Sequence, residues 1–247
     1  MLVGAPLPGI PEVAAGDDLA PLLATAAGSL ADGDLLVVAH KVVSKAESRV
    51  VVLDDVRPSE RALALAAEHA KDPRQIEVIL RESSQIVRSR PGVLICRTHH
   101  GFVCANAGVD ASNAPRSGCV VLLPLDADAS ARALRARLRE LTGVAPAVVI
   151  ADSFGRAWRI GQCDVALGIA GLAAVEDWRG RHDAAGRPLE ATIVAIADEA
   201  AAAADLVRRK DSREPAVLVR GLERHVTGAD GPGAAALIRA RAEDLFL

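Results

Sequence analysis

The sequence has no tyrosine, two tryptophans, three phenylalanines and one methionine among 247 residues. A core for such a chain has to be built from valine, leucine, isoleucine and alanine. Aromatic platforms for stacking single-stranded nucleic acid are missing. The net charge of -3 comes with no long basic run, so bulk electrostatics gives no reason to expect nucleic acid as a partner. No apolar stretch reaches the roughly 18 uncharged residues of a membrane span, so no membrane association is expected. The start, MLVGAPLPGIPEV, lacks the basic and apolar regions of a signal peptide, and the expected location is cytoplasmic. None of the four cysteines, Cys96, Cys104, Cys119 and Cys163, sits in a C-x-x-C pair. They are expected to be small buried hydrophobes rather than a zinc knuckle or a disulfide framework. The G-x-x-x-x-G-K-[ST] phosphate loop is also absent. Gly231 to Ala236 (GPGAAA) fits a dinucleotide fingerprint, but no strand closely precedes it, so it reads as a decoy. His99-His100 is a second decoy, since adjacent strand side chains point to opposite faces. A solvated hairpin tip accounts for it.

What is present, 51% hydrophobic and 25% charged residues, describes a globular chain. A helix is expected over Leu19 to Leu30, capped by Asp17 or Asp18. Asp32-Gly33-Asp34 then introduces a buried strand, Leu35 to Ala39. Further strands are expected over Val50 to Leu53, Val93 to Arg97, Phe102 to Ala105, Val120 to Leu125, Ala147 to Ala151, Thr192 to Ala197 and Ala216 to Val219. Helices are expected over Pro58 to Ala70, with Ser59 able to cap, then Gln75 to Arg81, Ala129 to Leu141, Asp198 to Lys210 and Ala234 to Ala242. The irregular order of strands and helices predicts a mixed α/β, or α+β, fold without repeats or linkers.

Four clusters could carry chemistry. Leu7 to Val13 (LPGIPEV) is a stiff loop, either a crossing segment or a cleft wall. His40 to Lys45 follows a buried strand, and its two lysines and hydroxyl could hold phosphates or form a surface turn. Asn106 to Asn113 (NAGVDASN) offers oxygen ligands for Mg²⁺ or Mn²⁺, or plain Asx-turns. In VVIADSFGRAWRIGQCDVALGIAG, residues 148–171, Asp152 and Ser153 are expected at a strand end, followed by the guanidinium forks of Arg156 and Arg159. Trp158, between those arginines, is expected to serve packing. Two loops, each with one aspartate at a strand end, suggest a shared divalent site in an enzyme that uses metal and phosphate.

Together these stretches resemble the coenzyme F420-0:γ-glutamyl ligases. LPGIPEV, GDDLA, DGDLLVVAHKVVSKAE, AEHAKDPR, NAGVDASNAP, ADSFGRAWRIGQCDVALGIAGL and IADEAAAAADLV occur in the family's order over nearly the whole chain. The likeness is to the stand-alone form, without the nitroreductase-like domain that follows in some relatives. It implies that residues 1–247 are one module of two interleaved lobes, forming an intertwined homodimer with the active site at its interface. It implies a GTP-dependent ligase that adds L-glutamate to coenzyme F420-0, and then γ-linked glutamates, through an acyl phosphate. It also implies Mg²⁺ or Mn²⁺, with a monovalent cation as a further candidate. By position, Ile10, Pro11, Glu12, Val13, His40, Lys45, Asn113 and Lys210 match nucleotide-contacting residues. Asp110, Asp152 and Ser153 match metal ligands, and Asp110, Asp152 and Arg156 are the candidate catalytic residues. Relatives often carry serine in place of His40, threonine in place of Ser153, and a Gly-Gln turn near Lys210. Two alternatives stand beside it: a metal-dependent nucleotide phosphohydrolase using the same two aspartates, and a non-catalytic GTP-binding partner of a biosynthetic enzyme.

Overall fold

The computed structural model describes residues 1–244. In chain order its elements begin with β1 (Val3–Pro6), α1 (Leu19–Ala27), β2 (Leu35–Ala39), α2 (His40–Ala46) and β3 (Val50–Val52). There follow α3 (Glu60–His69), α4 (Pro73–Arg81), β4 (Ser83–Arg90), β5 (Val93–Thr98), β6 (Val103–Ala105), β7 (Cys119–Val121) and α5 (Ala127–Thr142). The chain continues with β8 (Ala147–Arg156), β9 (Arg159–Ala170), β10 (Glu176–Asp177), β11 (Ile193–Val194), α6 (Ile196–Val207) and β12 (Ala216–Arg220). The fold is mixed α/β, as its irregular element order predicts.

The main sheet runs β1-β12-β2-β8-β9, and only β2 and β8 are parallel. These two central strands are covered on both faces, which is why they read as unbroken apolar runs. Their even-numbered side chains (Leu36, Val38, Val148, Ile150) pack with Leu19 and Leu23 of α1 and Leu134 and Leu138 of α5. Their odd-numbered ones (Leu35, Val37, Val149, Ala151) meet the alanine face of α6 (Ala197, Ala200, Ala201, Ala204). Small residues on α6 allow a close approach in a chain short of bulky aromatics. The segment between β3 and β7 builds a second core from Leu53, Ile76, Ile79, Leu94, Val109 and Val120.

Local chemistry explains the helix starts. Asp18, Ser59, Asp72 and Asp126 each accept a backbone N–H at the first turn of α1, α3, α4 and α5. Several expectations need correction. Helix α1 stops at Ala27, where Gly28 turns with φ 69°. The His40–Lys45 stretch is helical rather than a turn. β4 was not foreseen, because its Ser/Arg-rich face is exposed. The strand expected over 192–197 shrinks to Ile193–Val194, and α6 starts two residues earlier and stops at Val207. The expected last helix is two short 3₁₀ turns, Ala234–Leu237 and Arg241–Glu243. The Gly231–Ala236 run has a structural task. Gly233 has φ 78°, and a Cβ there would lie 2.3 Å from the Asp128 carboxylate. Asp128 in turn accepts the N–H groups of Ala234 and Ile169, each at 2.8 Å.

Candidate active site

Parallel pairing aligns Ala39 of β2 with Ala151 of β8. β2 there turns into α2, while β8 runs on through Asp152 to Arg156 and hairpins into β9. Asp152 is thus inside a strand and not at its end, which corrects the sequence expectation. His40 and Asp152 come next on neighbouring chains, and His40 Nε2 lies 3.4 Å from Asp152 Oδ1. The ring is buried, with Nδ1 3.3 Å from Ser44 Oγ one helical turn on. Nε2 has no well-aligned hydrogen bond, so its contact with Asp152 is chiefly electrostatic.

Asp110 arrives from the second core. A two-way backbone bridge with Val121, at 3.1 and 2.8 Å, holds it just after the left-handed residues Asn106, Ala107 and Gly108. Its carboxylate accepts the Ser112 N–H at 2.8 Å and the Ser112 hydroxyl at 2.6 Å, and it pairs with the Lys41 ammonium. Lys41 Nζ also donates to Ser112 Oγ at 2.6 Å and to the Ser112 carbonyl at 3.0 Å. Two aspartates 42 positions apart therefore meet consecutive residues of α2, His40 and Lys41. Burial pushes both carboxyls up, but their neighbours outweigh it. The His40 ring, the Ser153 N–H and the Lys41 charge hold Asp152 below the usual carboxylate range, and Lys41 with Ser112 does so for Asp110. Both are anions at neutral pH.

Helix α2 also places Lys45 one turn beyond Lys41, on the same stripe. Lys45 is buried and pairs with Glu12 in the loop after β1. In that loop Val13 is buried, Ile10 packs on the core, and Pro11 and Glu12 are exposed. Asn113 is exposed on the Asp110 loop with φ 54°. Ile10–Val13, His40, Lys45, Asp110 and Asp152 thus belong to elements that meet around α2.

Three predicted site residues lie apart from this group. Strand alternation sends Ser153 to the face opposite Asp152. There it donates to Asp164 Oδ1 at 2.6 Å and accepts from Lys210 Nζ at 2.6 Å. Arg156 donates to the Ile160 carbonyl at 3.1 Å and closes the β8–β9 hairpin. Trp158, expected to pack, stands 80% exposed at the hairpin turn with φ 58°. The His99 and His100 rings each hydrogen-bond a backbone carbonyl, of Arg81 and Leu125. Cys96, Cys104 and Cys119 are buried as expected, Cys163 is only half-buried, and burial pushes the Cys104 thiol up to about 12. A cavity of about 490 Å³ beside Trp178, Leu222 and His225 shares none of the site residues.

Among the described residues, no three His, Cys, Asp or Glu side chains are grouped to hold a metal ion unaided. Mg²⁺ and Mn²⁺ do not require that, since one or two carboxylates suffice when a phosphate supplies further oxygens. The oxygen cage around the Lys41 ammonium, made by Asp110 and Ser112, shows that a cation is favoured beside these anions. Asp110 and Asp152 supply oxygen donors of the type such an ion takes. The Ser153 hydroxyl lies on the other face of β8, with Asp164 and Lys210.

A carboxylate pair and two lysines meeting around one helix on a mixed sheet are suited to phosphorylated ligands. The comparisons place it more closely. The profile of the F420-0:Gamma-glutamyl ligase family matches residues 9–221, and the chain belongs to that family. It is 49% identical to the "Coenzyme F420:L-glutamate ligase" of Methanopyrus kandleri, over 98% of this chain and 96% of the relative. The protein of that name from Methanothermobacter thermautotrophicus is 45% identical, over 96% of each chain. That from Archaeoglobus fulgidus is 44% identical, over 88% of this chain and 86% of the relative.

Sequence reasoning missed Ser112, Asp164 and the pairing of Asp164 with Arg208. Ser112 was visible only as part of an Asx-turn. Asp164 and Arg208 had no local signal, because their partners are set by the β8–β9 register and by the exit from α6.

Proposed function

We propose that this protein is a ligase that joins L-glutamate to coenzyme F420-0, and then γ-linked glutamates, at the expense of GTP. The observation that carries the reading is the meeting of Asp110 and Asp152, from separate cores, on His40 and Lys41. Family membership supports the substrates. In the proposed reaction the terminal carboxylate of F420-0 takes the γ-phosphoryl group of GTP, releasing GDP. The glutamate amine then attacks the acyl carbon, forms the amide, loses its proton to solvent and expels inorganic phosphate. A Mg²⁺ or Mn²⁺ ion held by Asp110 and Asp152 would screen the phosphate charge during transfer. Lys41 and Lys45 bind phosphate oxygens as point charges. The Ile10–Val13 loop, tied to α2 through Glu12 and Lys45, walls the nucleotide, and Asn113 contacts it from the Asp110 loop. His40 orients Asp152. Arg156 serves the substrate's acidic groups from the hairpin. No helix among the described residues is long and apolar enough to cross a membrane.

Incubation with F420-0, GTP, Mn²⁺ and glutamate tests the reading by mass spectrometry. The expected product is heavier than F420-0 by whole glutamyl residues, with GDP and phosphate released only when all components are present. Phosphate release from GTP without glutamate would instead identify a phosphohydrolase. GTP binding with no product would identify a non-catalytic partner.

The β8–β9 hairpin supports the homodimer reading, because Ile160 is fully exposed and Trp158 nearly so at the tip of a long two-stranded arm. We expect Ile160→Asp to shift the protein from dimer to monomer in light scattering coupled to size exclusion. An unchanged mass would remove the hairpin from the interface.

A further inference from the structure

We infer that the ammonium of Lys210 is a built-in cation on the Ser153 side of the sheet, standing where a divalent ion would otherwise sit. The inference rests on the proposed function for its purpose, a fixed positive charge beside a phosphate tail, but not for its geometry. After α6, the chain brings Arg208 and Lys210 over the end of the sheet. The Ala39 N–H donates to the Pro215 carbonyl at 2.7 Å, so this segment reaches the same sheet end as His40. Asp164, with a side chain 0% exposed, pairs with Arg208 and accepts the Ser153 hydroxyl. That hydroxyl hydrogen is committed to Asp164, so Ser153 Oγ offers a lone pair to Lys210, which can only donate. Lys210 Nζ has Ser153 Oγ at 2.6 Å, Asp205 Oδ1 at 2.7 Å and Asp164 Oδ1 at 3.6 Å.

Three oxygens around one ammonium are the donors a hard divalent ion would choose. The charges decide which cation is present. Asp164 and Asp205 carry two negative charges, and Arg208 and Lys210 carry two positive ones. A divalent ion added beside Lys210 would leave the cluster at net +2, and the same ion in place of Lys210 would leave +1. Lys210 balances the cluster as it stands.

The test is equilibrium Mn²⁺ binding, counted by the electron paramagnetic resonance of free Mn²⁺, without nucleotide. Lys210→Met leaves three oxygens and a net charge of -1, so it is expected to bind one more Mn²⁺ per chain than the parent protein. Lys210→Arg keeps the charge and is expected to add none. The added ion is expected to persist when Lys210→Met is combined with Asp152→Asn. The same count in Lys210→Met and the parent would overturn the inference, as would an equal gain in Lys210→Arg. Because the readout is a difference, a parent protein that binds no Mn²⁺ would count against the Asp110–Asp152 ion and leave this inference standing. Lys210 is 64% exposed, so all variants are expected to fold, checked by far-ultraviolet circular dichroism.

Discussion

Replacing Asp152 by asparagine is expected to cut glutamate ligation by about 10³-fold or more, equal to about 4 kcal/mol of transition-state stabilisation. The substitution keeps the side-chain volume and the neighbour to His40, and removes only the anion. Asp152 is held in its charged form by His40 and Lys41, so the loss falls on a charge the folded protein works to maintain. Stability is expected to change little, because His40 stays buried among the same atoms. The measurement pairs initial rates of product formation with thermal unfolding. A variant with near-parent rates would remove Asp152 from the chemistry. A variant that fails to fold would assign the residue to stability instead.

The largest stability loss is expected at Asp164. Asp164→Ala would leave the guanidinium of Arg208, itself 9% exposed, without its buried partner, and would strip Ser153 of its acceptor. Breaking a buried pair from one side typically costs about 3–5 kcal/mol, because the remaining charge stays desolvated. Against a total stability of about 5–15 kcal/mol, that is a large share. For a chain of this size it corresponds to a fall of roughly 6–20 °C in the unfolding midpoint. The contrast is Asp177→Ala, which breaks an exposed pair with Arg179. Solvent and salt already screen that pair, and the midpoint is expected to stay where it is. Calorimetry of the two variants side by side separates a structural Asp164 from a merely local one. An unchanged midpoint for Asp164→Ala would show that Arg208 finds another partner.

The legible parts of the fold were those encoded within a few residues. LLVVA and AVVIA stand out as central strands because both of their faces are buried. Asp18 and Ser59 stand out because a cap and its N–H lie two or three residues apart. Helix α2 was hidden by its own composition: His40, Val42, Val43 and Ser44 are poor helix formers, and packing against the sheet overrides them. The hairpin of β8 and β9 was hidden for another reason. Its outer half is polar and exposed, so no apolar alternation marks it, and the strand seemed to stop at Asp152. That one error carried into the site. Asp152 and Ser153 were expected together at a strand end; inside a strand their side chains point to opposite faces. Asp110 and Asp152 were singled out because aspartates are hard-cation ligands by type, and the structure brings both to α2. Asp164 and Arg208 depend on tertiary register alone, and no local pattern announces them.

Crystals grown with Mn²⁺ and a non-hydrolysable GTP analogue give the most direct measurement, an anomalous map collected at the manganese edge. The account predicts one manganese peak per site, bonded to both Asp110 and Asp152 and to the analogue's phosphates, with Lys41 moved off Asp110 onto a phosphate oxygen. Manganese bound away from either aspartate, with the Lys41–Asp110 pair intact beneath the nucleotide, would contradict it.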